Sequence, residues 1–270
     1  MKLKIYGCRG STAFSRNSSY GGNTSCTVLE SESGVIVFDA GSGILQYDAE
    51  LRAKYPGYPL DLPFRPNILL SHLHVDHIQG LTGFSPIWTP GTNTRIFTCT
   101  RDEMPLADQI FGMFVPPYWP VPMATIHRAE CIEVSGSFDV DGYRVTPFPS
   151  KHPDKTIAFH VTDGKKVIVY LLDSEISFEN KPELLLHYCH KADLVIFDAA
   201  YTGKDYSKRT GWGHSTVEDG LELVEMSDCK RILFSHYGQE YSDEELDALK
   251  KIVPDKKQYL FAREGMEIEI

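Results

Sequence analysis

Five short apolar runs, each ending in a residue able to do chemistry, recur along this chain. Residues 35–38 (Val-Ile-Val-Phe) lead to Asp39, 68–71 (Ile-Leu-Leu-Ser) to His72, and 167–172 (Val-Ile-Val-Tyr-Leu-Leu) to Asp173. Later, 194–197 (Leu-Val-Ile-Phe) leads to Asp198 and 232–235 (Ile-Leu-Phe-Ser) to His236. The runs are nearly continuous in apolarity, which suits strands covered on both faces. Helical segments are predicted between them at 44–55, 181–191, 215–226 and 242–252. Ser215-Thr216-Val217-Glu218 and Ser242-Asp243-Glu244-Glu245 have the form of capping boxes at two helix starts. Strands alternating with helices predict an α/β layered domain, with ligands beyond the carboxyl ends of the strands. The polar endings should therefore converge on one edge. Taken alone, Asp39 reads equally as a turn starter; five such endings favour function.

His72-Leu73-His74-Val75-Asp76-His77 is the densest chemistry in the chain, and it directly follows a predicted strand. Imidazole and carboxylate ligate divalent metal, and a strand end would hold their backbone still. Exposed loop histidines are the plain alternative. Four metal-competent groups this close would, without an ion, repel one another or waste hydrogen bonds. A metal site is the stronger reading.

Composition narrows the setting. With 270 residues, 42% hydrophobic and 24% charged, and no low-complexity tract, the chain reads as one globular domain spanning 1–270. The net charge of −10 disfavours a large nucleic acid partner. Six cysteines without a C-x-x-C pair fit a reduced, cytoplasmic protein. No apolar stretch approaches the roughly 20 residues that span a bilayer, and residues 1–6 read as a first strand, so no membrane association is expected.

These residues resemble the metallo-β-lactamase superfamily, whose members carry H-x-H-x-D-H, then a lone His, a bridging Asp and a final His. The matching positions are His72, His74, Asp76 and His77, then His152, Asp173 and His236. Within the superfamily the likeness is to the phosphodiesterase branch, which includes ribonuclease Z and a phosphoribosyl cyclic phosphodiesterase. It rests on Gly7-Cys8-Arg9-Gly10-Ser11, Gly21-Gly22-Asn23-Thr24-Ser25-Cys26, Asp198-Ala199 and Gly213-His214-Ser215-Thr216. The resemblance implies a four-layered αβ/βα sandwich. It also implies two divalent metal ions, one held by His72, His74 and His152, the other by Asp76, His77 and His236, with Asp173 shared. Nitrogen and carboxylate ligands suit Zn²⁺ and also accept Mn²⁺ or Fe²⁺. The implied chemistry is hydrolysis by a metal-bridging hydroxide, with Asp76, Asp198 and His214 as catalytic residues. His214 is the implied proton donor, oriented by Asp198; a helix starting nearby would oppose the imidazolium and Asp198 would support it. The implied role of Asp39 is a hydrogen bond to a ligand imidazole.

The remaining histidines are read as structural: His187 and His190 on a partly exposed helix face, His127 and His160 without motif context. A Pro- and aromatic-rich insertion at about 103–128 contains a stiff loop at 111–123. Its apolar side chains need a seat in the core, in a homodimer interface or in a substrate wall, the first two together ahead of the third. Arg9, Lys151 and Lys155 are candidates to hold an additional phosphate, or else solvated charges. Twenty residues separate His152 from Asp173, too few for the arm with which ribonuclease Z grips transfer RNA. A small or cyclic phosphodiester is therefore the expected substrate. Thioesterase or lactamase chemistry on the same fold, and a non-catalytic metal-bound sensor, are the competing readings.

Overall fold

The computed structural model describes residues 1–14, 17–32, 34–100, 103–177, 182–254 and 257–270. Among the described residues fourteen strands form two seven-stranded sheets. The first half of the chain supplies β1 (Lys2–Gly7), β2 (Cys26–Ser31), β3 (Gly34–Phe38), β4 (Asn67–Leu69), β5 (Arg95–Thr98) and β6 (Glu130–Glu133). The second supplies β7 (Phe138–Val140), β8 (Tyr143–Ser150), β9 (Thr156–Thr162), β10 (Val167–Leu171), β11 (Leu194–Asp198), β12 (Ile232–Ser235) and β13 (Tyr259–Phe261). The last strand, β14 (Glu267–Glu269), returns to pair with β1. The sheet orders are β14-β1-β2-β3-β4-β5-β6 and β13-β12-β11-β10-β9-β8-β7. Both sheets follow one plan, antiparallel from one edge and then parallel through β3–β6 and through β10–β13.

Alternation along the first sheet shows why its strands are apolar throughout. Leu29, Ile36, Phe38, Leu69 and Phe97 join the core shared with Val145, Phe159, Ile168 and Tyr170 of the second sheet. Their neighbours Val28, Val35, Val37, Ile68 and Ile96 face the other way, onto Ile44, Tyr47 and Leu51 of helix α1 (Ile44–Lys54). Successive side chains of a strand point to opposite faces, so both faces need apolar residues when both are covered. Helices outside and two sheets inside make the four-layered αβ/βα sandwich that the resemblance implies.

Short helices among the described residues after α1 include α2 (Val75–Ile78), α3 (Ser85–Trp88), α4 (Leu106–Phe111), α5 (Met123–Ile126), α6 (Glu183–Cys189) and α7 (Gly203–Tyr206). The predicted start of α6 at 181 lies outside the described residues. The cap of α8 (Val217–Ser227) lies one residue later than predicted. Its box is Thr216 with Asp219, whereas the Ser215 hydroxyl donates to Ser174 O at 2.6 Å and accepts from Ile176 N at 3.1 Å. Ser215 thus ties the helix entry to the loop after β10. The box at α9 (Asp243–Lys250), Ser242 with Glu245, is as predicted.

The stretch at 103–128 is the crossover between parallel β5 and β6. Phe111, Phe114 and Met123 are buried in the core outside the first sheet, while Tyr118 stays 85% exposed. The core is therefore the seat of those three side chains.

Candidate functional site

All five strand endings lie at the carboxyl ends of parallel strands, three from the second sheet and two from the first. Asp39, Asp173 and His236 leave their strands with φ of 55°, 51° and 63°, in the left-handed region that costs a non-glycine residue free energy. Such turns aim the side chains at the seam between the sheets. The Gly10 position is equally constrained, because a Cβ there would meet the His236 ring at 2.6 Å. Next to it, Ser11 N donates to Asp76 Oδ2 at 2.7 Å.

The structure brings all seven predicted ligand positions together. Ligand atoms of His72, His74 and His152 lie within 4.8 Å of one another, as do those of Asp76, His77 and His236. Asp173 stands between the sets. Its Oδ1 is 3.8 Å from Nε2 of both His72 and His152; its Oδ2 is 3.0 Å from His77 Nε2 and 3.3 Å from His236 Nε2. His77 Nε2 and His236 Nε2 are each 3.4 Å from Asp76 Oδ2.

Two ligand atoms of this cluster, His72 Nε2 and Asp173 Oδ2, are left without a well-directed hydrogen bond although fully buried. Orphaned buried polar atoms are costly, and lone pairs gathered around one space suit a cation. The charges agree. Burial would push His77 down, but Asp173, Asp76 and Asp39 outweigh it and raise its pKa well above the ordinary imidazole value. Burial would likewise raise Asp173, and the rings of His236, His77 and His72 hold it well below the carboxylate range. His72 goes the other way, lowered first by burial and then by His77. The cluster demands positive charge at its centre, and its donor set fits divalent metal.

Around this set a second ring of contacts fixes orientation. Asp39 Oδ2 accepts from His77 Nδ1 at 2.7 Å, Tyr170 OH at 2.8 Å and Ser71 Oγ at 2.9 Å, and Oδ1 accepts from Ser71 N at 2.7 Å. The imidazole that Asp39 supports is thus His77. His152 Nδ1 faces Gly213 O at 3.0 Å, leaving Nε2 toward His74. Asp198 faces His214 Nδ1 at 2.8 Å and accepts from Asp173 N at 2.8 Å and Ala200 N at 3.0 Å. Burial opposes charge on His214, yet Asp198 prevails and its pKa is pushed up to about 9. The sequence set a helix terminus against Asp198 at this ring; the opposing influence in the structure is burial, and Asp198 outweighs it.

One expectation needs correction. Arg9 is fully buried, and its guanidinium donates to Gly21 O, Gly238 O, Tyr241 O and the Ser18 hydroxyl, so it staples loops and holds no phosphate. Lys155 Nζ donates to Thr100 O; Lys151 remains exposed. His187 and His160 pack against Tyr188, His190 faces Ser227 O and His127 stacks on Phe111, away from the cluster. Residues overlooked in the sequence are Arg209, Trp212, Gln239 and Glu240, which line a cavity of about 160 Å³ beside His214 and His236. The available signal was Gly211-Trp212-Gly213, an indole in a loop directly before the proposed proton donor.

Two face-to-face mixed sheets with a His and Asp cluster at their seam define a hydrolase fold of the metallo-β-lactamase type. The sequence matches the model of the beta-lactamase superfamily domain over residues 35–237, and the chain belongs to that superfamily. It is 21% identical to a ribonuclease Z of Bradyrhizobium diazoefficiens, over 70% of this chain and 78% of the relative. Similar solved structures include the metallo-beta-lactamase fold protein YhfI of Bacillus subtilis, with TM-score 0.73, 19% identity and coverage of 99% and 98% of the two chains. A diphosphatase of the PhnP family gives TM-score 0.71 at 17% identity, covering 100% and 97%. Among the described residues no helix is long and apolar enough to cross a membrane.

Proposed function

We propose that this chain is a dinuclear metal phosphodiesterase acting on a small or cyclic phosphodiester. His72, His74 and His152 would hold one ion, Asp76, His77 and His236 the other, and Asp173 both. The observation that carries the reading is Asp173 presenting one carboxylate oxygen to each imidazole set, with His214 Nδ1 3.8 Å from Oδ1. When bound, the ions would supply Lewis acidity and a water acidified to near neutral pKa, and the nitrogen and carboxylate ligands suit Zn²⁺.

The protein's own part is to place and protonate. With Nδ1 engaged by Asp198, His214 keeps Nε2 for the leaving oxygen, and its raised pKa means that it starts protonated at neutral pH. The leaving alcohol then departs neutral as the P–O bond breaks. A thioester, whose thiolate departs without a proton, gives the Asp198–His214 pair no such task. The ribonuclease and diphosphatase among its relatives point to phosphorus chemistry. The short β9–β10 connection and the net charge of −10 favour a small substrate over transfer RNA, within a reduced, cytoplasmic setting.

The test is a parallel assay of bis(4-nitrophenyl) phosphate, nucleoside cyclic phosphates, a thioester and a cephalosporin on metal-loaded protein. Diester turnover should dominate, and His214→Ala should lower kcat by about 10²- to 10⁴-fold with metal content retained. Dominant thioester turnover, or an unchanged His214→Ala, would overturn the reading.

A further inference from the structure

The cavity beside His214 carries an inference that rests on the phosphodiesterase reading and deepens it. It shares His214 and His236 with the cluster, and none of His72, His74 and His152 lines it. A proton delivered by His214 goes to the leaving oxygen, so whatever that oxygen carries must lie on the His214 side. This cavity is that space. At about 160 Å³ it is well below the roughly 300 Å³ at which pockets for drug-sized ligands begin, and so suits a single ring system.

Trp212 dominates the rim. It is 60% exposed, an indole left largely in water, yet three successive backbone N–H groups around it are hydrogen-bonded. Trp212 N donates to Arg209 O at 3.0 Å, and the flanking Gly211 N and Gly213 N each donate to the Glu175 carboxylate at 2.9 Å. At Gly213, with φ of 88°, a Cβ would strike His152 Nδ1 at 2.1 Å, so the chain passes the cluster as glycine and presents the indole immediately before it. The Arg209 guanidinium lies 4.7 Å from the Tyr201 ring centroid and 6.0 Å from that of Trp212, and is paired with Glu240 at 2.7 Å. An exposed aromatic on a fixed loop, beside an oriented cation, is a preorganised face for a flat ring.

We infer that Trp212 and Arg209 form a leaving-group subsite for a planar heteroaromatic ring, and that Trp212 sets specificity by stacking on it. Gln239 and Glu240 at the rim supply both donor and acceptor groups to the ring edge. Stacking of this kind is sequence-tolerant, so the subsite selects flat over aliphatic leaving groups.

The experiment compares, on metal-loaded protein, a dinucleoside monophosphate with the methyl ester of the same nucleoside 5′-phosphate. Trp212→Ala should reduce the preference for the dinucleoside by roughly 5- to 150-fold, mainly through KM, and Trp212→Phe should restore most of it. Equal losses on both esters, or none, would overturn the subsite. Independently of turnover, adenosine should quench the fluorescence of the metal-loaded protein where ribose does not, and Trp212→Ala should abolish the quench. A quench with no hydrolysis of any diester would keep the subsite and defeat the phosphodiesterase reading; hydrolysis without a quench would do the reverse.

Discussion

Asp39 holds a single ring nitrogen of His77 and thereby decides what the other one can do. Its carboxylate is fully buried and accepts from an imidazole, a phenol, a hydroxyl and a backbone N–H, four donors that leave it no freedom to turn. Charge-assisted bonds of this kind favour the His77 tautomer whose Nε2 faces Asp76, Asp173 and His236. Replacing Asp39 by Asn keeps the shape and the tolerance of a positive φ but removes the charge. In the proposed metal centre, Asp39→Asn should weaken metal binding by about 10- to 100-fold, measured by chelator competition. Unchanged affinity would show that Asp39 serves the turn alone. The sequence left open which imidazole Asp39 supports, because that partner sits on α2, after a neighbouring strand. The pairing of Phe38 with Leu69 is what puts His77 within reach.

Among the elements, the loop from α7 to α8 depends most on one distant side chain. Glu175 accepts from Gly211 N, Gly213 N and the Tyr206 hydroxyl, each at 2.9 Å, and so sets both the Trp212 indole and the approach to His214. In Glu175→Gln one acceptor oxygen becomes a donor facing these N–H and O–H groups. About a tenfold fall in kcat is expected, with faster hydrogen exchange at Gly211 and Gly213; an intact exchange pattern would refute the role. At the opposite end of the strands, Asp193 ties the starts of β10 and β11, accepting from Val167 N at 2.9 Å, Lys230 at 2.8 Å and Lys166 at 3.2 Å. Burial would raise its pKa, but Lys230, Val167 N and Lys166 together hold it below 3.8. Its stabilisation is therefore full above pH 3.8 and lost as pH falls through the depressed folded-state value. Metal-free Asp193→Asn should be less stable than the parent by about 2 kcal/mol at pH 6, a gap that urea denaturation should show closing in acid. The strands and their polar endings were legible because a continuous apolar run has few other uses. The Trp212 loop and the 103–128 crossover were harder to read, since neither has a period and both are fixed by tertiary contacts. The cap of α8 was missed by one residue, as Ser215 and Thr216 both suit the position and only Ser174 and Ile176 distinguish them.

For the molecule as a whole, the site is also a joint. The first sheet leads to His72, His74, Asp76 and His77; the second leads to His152, Asp173 and His236. Sequence order named these residues by type, but their meeting depends on two sheets packing through one core, which no local pattern encodes. Any ion shared by Asp173 therefore bonds across the seam, and its binding free energy becomes stability of the two halves together. Without metal, His72 and Asp173 keep buried atoms with no well-directed partner, a cost that the core must offset. At free metal about 1,000 times Kd, one site adds roughly 4 kcal/mol. For a chain of this size, that corresponds to a rise in Tm of about 10 °C. Chelation should lower Tm by at least that amount. His236→Ala, lacking one ligand of the second set, should show a smaller drop. Equal Tm with and without chelator, in protein shown to have carried metal, would mean that the seam is held by the apolar core alone and that the cluster is not a load across it.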